Sequence, residues 1–155
     1  MHKIKGELII RPTSGSMEYP ALVEIWRSAV GATHDFLKEA DFERIESSLV
    51  SAYFPAVALI VAELNGEPVG FTGFSHNSLE MLFVSHSMRG RGICSALLAE
   101  AITLHGVTKA DVNEQNPSAR SFYLNHGFTQ AGRSEIDGDG RPYPILHLEL
   151  STPPE

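Results

Sequence analysis

The chain has 155 residues, 43% of them hydrophobic and 20% charged, which suits one domain able to bury its own core and excludes a disordered segment. A net charge of −7 opposes nucleic acid and anionic membranes and is compatible with cationic partners such as amines. The lone cysteine, Cys94, excludes an internal disulfide and fits a reducing cytoplasm.

The stretch MHKIKGELIIRP has no apolar segment of signal-peptide length, and no run is long enough to span a bilayer. Leu8 to Ile10 reads as a short strand closed by Arg11-Pro12. Leu22, Ile25, Trp26 and Ala29 follow helical spacing, and Gly31 is expected to end that helix. A second helix is expected from about Asp41, with Phe42, Ile45 and Leu49 on one face and Pro55 as its stop. Ala56 to Leu64 is a nearly continuous apolar run, as in a buried strand, and Asn65-Gly66 turns it back into a strand from Val69 to Phe74. A strand from Leu79 to Val84, a helix from Gly92 to about His105 and a strand from Val107 to Asn113 follow. Asn116-Pro117 opens a helix, with Asn as cap and Pro at the first helical position, and Gly127 follows its end. The last strands are expected at Phe128–Ser134 and Tyr143–Leu150, with Asp137-Gly138-Asp139-Gly140 as a turn and not a calcium loop. This order predicts a mixed α/β (α+β) domain over residues 1–155, built on one central sheet.

The strand ending at Val84 runs into Arg89-Gly90-Arg91-Gly92-Ile93-Cys94-Ser95 at the start of a Leu-rich helix. Two glycines let the backbone approach a ligand, and the unpaired N–H groups of a helix start favour an anion. Arg89 and Arg91 add positive charge. On its own the segment is equally a turn that happens to contain glycine and arginine. It is neither a Walker loop, since no Gly-Lys-Ser/Thr follows, nor a dinucleotide loop, since the glycine spacing differs. The seven histidines form no HExxH and no paired Cys/His spacing, so no metal is expected.

Strand, Arg89-Gly90-Arg91-Gly92-Ile93 and helix resemble the acetyl-CoA motif of the GNAT superfamily of N-acetyltransferases, Q/R-x-x-G-x-G/A, with Arg89, Gly92 and Cys94 at the three defined positions. Cys94 departs from the Gly or Ala of that motif. Asn116-Pro117-Ser118-Ala119-Arg120-Ser121-Phe122-Tyr123, ending in Gly127-Phe128, resembles the superfamily's second signature, N-x-x-A-x-x-F-Y-x-x-x-G-F. Ile25-Trp26, Ala32 to Leu37, Asn113 to Asn116, Gly132 to Glu135 and Arg141 to Pro144 further resemble the bacterial YjaB-type branch, whose members look like lysine or small-amine acetyltransferases.

The resemblance implies a mostly antiparallel twisted sheet flanked by about four helices, with acetyl-CoA as acyl donor. Its pyrophosphate would lie on Arg89 to Ser95, with Asn116 at the pantetheine arm or capping its helix. An amine attacks the thioester, a thiolate leaves, and Tyr123 would protonate it. Read without the motifs, Tyr123 is a core residue with a satisfied hydroxyl. Glu80 and Asp111 are nearly equal candidates for the base, and both are equally read as solvated carboxylates at strand ends. The oxyanion would take a backbone N–H from Leu82, Phe83 or Val84, freed by a bulge. Trp26, His34, Phe36, Phe74 and Tyr143 are candidates for the acceptor pocket, each with a packing or capping alternative. The expected reaction moves acetyl to a primary amine, either a protein lysine or N-terminus or a small molecule. The alternatives are a non-catalytic acyl-CoA sensor and an enzyme for longer acyl groups. Dimers are frequent in the superfamily, which makes a homodimer a candidate assembly.

Overall fold

The computed structural model describes residues 7–33 and 36–151. Its strands are β1 (Leu8–Pro12), β2 (Ala58–Leu64), β3 (Glu67–Ser75), β4 (Ser78–Val84), β5 (Lys109–Asn113), β6 (Phe128–Ser134) and β7 (Ile145–Leu150). The α-helices are α1 (Tyr19–Thr33), α2 (Glu39–Ser48), α3 (Ile93–His105) and α4 (Pro117–Asn125). One seven-stranded sheet runs in the order β1-β2-β3-β4-β5-β7-β6, antiparallel except between β4 and β5.

Alternation along the strands sends apolar side chains to both faces of the sheet. On one face Leu22, Ile25, Trp26 and Val30 of α1 pack on Leu59, Val61 and Phe71. On the other, Ile93, Leu97, Leu98 and Ala101 of α3 join Leu79, Val84, Ala110 and Val112, and Tyr123 of α4 completes that core. Each fully buried side chain of this size contributes about 1.5–3 kcal/mol.

Several boundaries differ from expectation. Gly31 does not end α1, which continues to Thr33 with Gly31 exposed; a solvent-facing glycine weakens a helix without stopping it. α2 is regular only to Ser48, after which one wide turn over Leu49–Tyr53 and a tight one over Phe54–Ala56 carry the chain past Pro55. Tyr143 precedes β7 rather than opening it. Asn65 and Gly66 both take positive φ, 55° and 84°, as a two-residue hairpin demands.

Two irregularities shape the middle of the sheet. β3 and β4 pair Phe74 with Leu79 and then Gly73 with Met81, so Glu80 is an extra, bulged residue. β4 and β5 pair only at Ser78–Lys109 and Leu79–Ala110. Beyond that point β4 runs on to Val84 and β5 to Asn113 without pairing, and the sheet opens as a wedge between their carboxyl ends. The backbone groups along the wedge lack ladder partners there and must be satisfied by water or by a ligand.

Candidate active site

The two helices that follow the parted strands start at the mouth of the wedge. Gly90 and Gly92 both have positive φ, 78° and 79°, which a side chain would strain. Gly92 caps α3 and no side chain caps the helix, so the N–H groups of Ile93, Cys94 and Ser95 are left for an anion. The loop before it is tied down where the His86 N–H donates to Ser28 Oγ of α1 at 2.9 Å. Across the mouth of the wedge Asn116 caps α4, its Oδ1 accepting from the Ala119 N–H at 3.2 Å, with Pro117 in the first turn. α3 and α4 are joined through His126. Its Nδ1 bonds the Phe122 carbonyl at 2.7 Å, and its Nε2 lies 3.1 Å from Ser95 Oγ. A carbonyl only accepts, so Nδ1 carries the proton, and in the neutral ring Ser95 donates to Nε2.

Between the parted strands lies a cavity of about 250 Å³. Leu82, Phe83 and Val84 form the β4 wall, Asp111, Val112 and Asn113 the β5 wall, and Asn116, Phe122 and Tyr123 the α4 side. Arg89 and Cys94 line the end near the glycine turn. Tyr123 is buried, and its hydroxyl pKa is raised above the ordinary 10 by desolvation and by the neighbouring Cys94. Burial also pushes the Cys94 thiol up, against a smaller lowering by Arg89. Cys94 is therefore a protonated, half-buried thiol at neutral pH, which fits packing better than redox chemistry.

A second cavity of about 450 Å³ opens on the α1/α2 face. Trp26, Val30, Ile45 and Leu49 give it an apolar wall, and Tyr53, Asp137, Asp139, Arg141 and Tyr143 a polar rim. The rim is tied across: Tyr53 bonds Asp139, the Tyr143 hydroxyl bonds Asp41, and Arg141 bonds Asp139 at 3.0 Å. Glu80, Met81, Phe83 and Asn113 line both cavities, so the two spaces meet at the bulge.

Glu80 stays in contact with solvent, yet its carboxyl pKa is raised above the ordinary 4.5, first by desolvation and then by the charge of Asp111. Asp111 is held from the far side. His147 Nδ1 lies 2.7 Å from Asp111 Oδ1, and His147 Nε2 lies 2.6 Å from Ser134 Oγ.

The structure brings together Tyr123, Glu80 and Asp111 with Leu82, Phe83, Val84, Arg89, Cys94 and Asn116 around one cavity. Gly90, Arg91, Gly92 and Ser95 stand in the turn beside it, and the Ile93 side chain is in the core. The bulge falls at Glu80, two residues before the stretch expected to supply the oxyanion N–H. Trp26 and Tyr143 line the second cavity. Phe74 does not: past the bulge it points to the α3 face, packs in that core and lies 4.9 Å from the His105 ring. Phe36 packs near Tyr143, their ring centroids 6.0 Å apart, and lines neither cavity. His34 lies outside the described residues. His147, Ser134, Tyr53 and Arg141 are not among the site candidates that the sequence yields, and Phe122 is read there only for its bulk beside an acyl group. Phe122 stands in the second motif, but the others gather from β6, β7 and their connection only on folding. Among the described residues no group of three metal-ligating side chains converges, and no helix is long and apolar enough to cross a membrane.

A sheet parted after a strand, with a helix start that no side chain caps at its mouth, offers an elongated anionic ligand a place beside a second cavity. Residues 55–130 match the family described as the acetyltransferase (GNAT) domain. The peptidyl-lysine N-acetyltransferase YjaB of Salmonella typhimurium is 44% identical over 82% of this chain and 88% of its own length. The Escherichia coli protein of the same name is 40% identical over 82% of this chain and 86% of its own. The solution structure of apo YjaB from Escherichia coli superposes with a TM-score of 0.86 at 36% identity, covering 94% of this chain and 98% of that one. The PaiA N-acetyltransferase of Thermoplasma acidophilum, solved with coenzyme A, shares the fold at a TM-score of 0.65 and 20% identity, over 92% of this chain and 99% of that one. The chain belongs to the GNAT family and is an N-acetyltransferase.

Proposed function

We propose that the chain transfers the acetyl group of acetyl-CoA to the ε-amine of a lysine in a polypeptide, in the cytoplasm where that donor is available. The observation that carries the reading is the junction at Glu80, where a narrow cavity between parted strands meets a wider one on the opposite face. The YjaB relatives, similar over most of their length and named peptidyl-lysine N-acetyltransferases, support the choice of acceptor.

The residues fit the donor. The glycine turn, the N–H groups of Ile93 to Ser95 and Arg89 suit a pyrophosphate. The unpaired β4 and β5 edges suit the amides of a pantetheine arm. Phe83 and Phe122 in the walls favour a short acyl group. The lysine arrives through the second cavity, its alkyl stem along Trp26 and Val30. Its ammonium gives a proton to the Glu80–Asp111 pair, and the free amine attacks the thioester carbon. An N–H of β4 from Leu82 to Val84 holds the oxyanion. The C–S bond breaks as the carbonyl re-forms, and Tyr123 donates its proton to the departing sulfur, a role open to a hydroxyl that stays protonated at neutral pH; the second proton of the attacking nitrogen, released as the amide forms, returns to the phenolate oxygen.

The test is thiol release from acetyl-CoA against lysine peptides, free amino acids and polyamines, with mass spectrometry of the product. Acetylation at Nε of a peptide lysine is expected. Acetyl-CoA binding without thiol release from any amine would instead assign a sensor.

A further inference from the structure

The two carboxylates beside the junction are held differently, and the group that separates their roles comes from outside both cavities. His147 on β7 stands directly opposite Asp111 in the strand register and is flanked on β6 by Ser134 and Gly132. An ionised carboxylate only accepts, so Nδ1 donates to Asp111, and the neutral ring then takes the Ser134 hydroxyl at Nε2. Both nitrogens are engaged, which fixes ring and tautomer together, and Oδ1 of Asp111 is fixed with them. Glu80 has no such anchor: among the described residues no hydrogen bond holds its carboxyl, and the bulge turns it into the space shared by the two cavities.

We propose that His147, locked by Ser134, is a positioning residue that holds Asp111 in the wedge as a fixed anion, so that Glu80 is the base that takes the amine proton. The inference rests on the acetyltransferase reading and divides the work within it. One proton leaves the lysine ammonium and arrives at a Glu80 carboxylate oxygen; Asp111 and His147 exchange none. Two carboxylates set in unlike surroundings are how a site gives the members of one pair different roles. The raised pKa of Glu80, to which Asp111 contributes, agrees with that division.

The other titratable groups nearby are engaged elsewhere. Lys109 of β5 and Glu149 of β7 face each other at 3.9 Å. Asp137, Asp139 and Arg141 bond one another in the β6–β7 connection, and Tyr53 and Tyr143 bond Asp139 and Asp41. On the donor side stand Arg89, Cys94 and Tyr123.

The experiment is the pH profile of kcat/KM for a lysine peptide, with the KM for acetyl-CoA measured alongside. His147→Ala is expected to lower kcat on the order of tenfold and to move the acidic limb up by about half a pH unit or more, with the KM for acetyl-CoA within about twofold. His147→Asn, which keeps a donor where Nδ1 stood, is expected to restore both. Asp111→Asn removes the neighbouring charge and moves the limb down, and Glu80→Gln abolishes it. A His147→Ala limb that stays in place, or Asp111→Asn and His147→Ala limbs that move the same way, overturns the proposal. Carbon-13 carboxyl titration of Glu80 without acetyl-CoA reads the same division independently of turnover. The Glu80 midpoint should fall in Asp111→Asn, and an unmoved midpoint overturns the proposal even if His147→Ala does not fold. A wild-type chain that acetylates nothing would sink the acetyltransferase reading while this titration still decides the division.

Discussion

Tyr123 is the residue whose two readings separate most cleanly. It is buried in the α3-side core, its ring 5.5 Å from that of Phe128 and 5.4 Å from that of Phe122, and it also lines the cavity between β4 and β5. Tyr123→Phe keeps the packing and removes only the hydroxyl. A drop in kcat of about 10²-fold or more, with the dissociation constant for acetyl-CoA little changed, is expected in steady-state kinetics and calorimetry. Equal loss of both would leave Tyr123 a structural residue. A second prediction concerns stability far from the site. Arg11 bonds Glu18 at 2.6 Å and Glu63 at 2.5 Å, tying β1 to β2 and to the turn before α1. The Arg11 guanidinium, with the Ser14 N–H and Thr13 hydroxyl, holds Glu18 at about 2 against an ordinary 4.5, despite an opposing desolvation. A depressed carboxylate pKa stabilises the fold fully above the unfolded value, and the gain is lost as pH falls from about 4.5 to about 2. Glu18→Gln should therefore lose about 1.5–3 kcal/mol at neutral pH, as for a charge-assisted hydrogen bond, and flatten the stability curve in that acid window, read by urea unfolding.

At the scale of elements, the start of α3 is where conformation and binding are joined. A Cβ at Gly92 would meet nothing within 4 Å, so the glycine is required by its φ of 79° and by whatever anion approaches, not by crowding from the protein. Gly92→Val should cost about 1–2 kcal/mol of backbone strain and weaken acetyl-CoA binding far more than it changes kcat at saturation; isothermal titration and kinetics check the two together. Elements with strong local chemistry were legible in the sequence. α4 begins where Asn116-Pro117 indicates, because cap and proline are local, and β6 spans the expected Phe128–Ser134. The bulge at Glu80 was not legible, since Leu79 to Val84 reads as one apolar strand and the extra residue shows only against its partner β3. His147 was hidden for the same reason. Between Leu146 and Leu148 it reads as an outward residue of an edge-like strand, and only the β5–β7 register sets it opposite Asp111. Phe74 shows the converse: it is a candidate for the acceptor pocket in the sequence, and the register sends it to the other face.

For the whole molecule, the weak seam of the sheet is also where the cavity between β4 and β5 opens. The strands β1 to β4 and the strands β5 to β7 are joined within the sheet through two registered residue pairs, while α3 packs across both sides from Leu79 and Val84 to Ala110 and Val112. A ligand seated in the wedge would supply partners to both open edges and so couple the two halves. Such a ligand stabilises the folded state by its mass action alone, about 2.7 kcal/mol at a hundred times its dissociation constant, which for a chain of this size is a rise in Tm of roughly 5–10 °C. If the glycine turn and the wedge hold the parts of the donor that remain after transfer, as proposed, CoA and acetyl-CoA should both give this rise. Amide exchange separates a seam ligand from one bound elsewhere. Protection should rise on Leu82 to Val84 and on Asp111 to Asn113 together, and at the first turn of α3, with β1 and β6 at the sheet margins changed least. Protection confined to α3 would mean an anion held at the helix start without the pantetheine arm between the strands. No change in Tm at millimolar ligand would remove the donor site altogether.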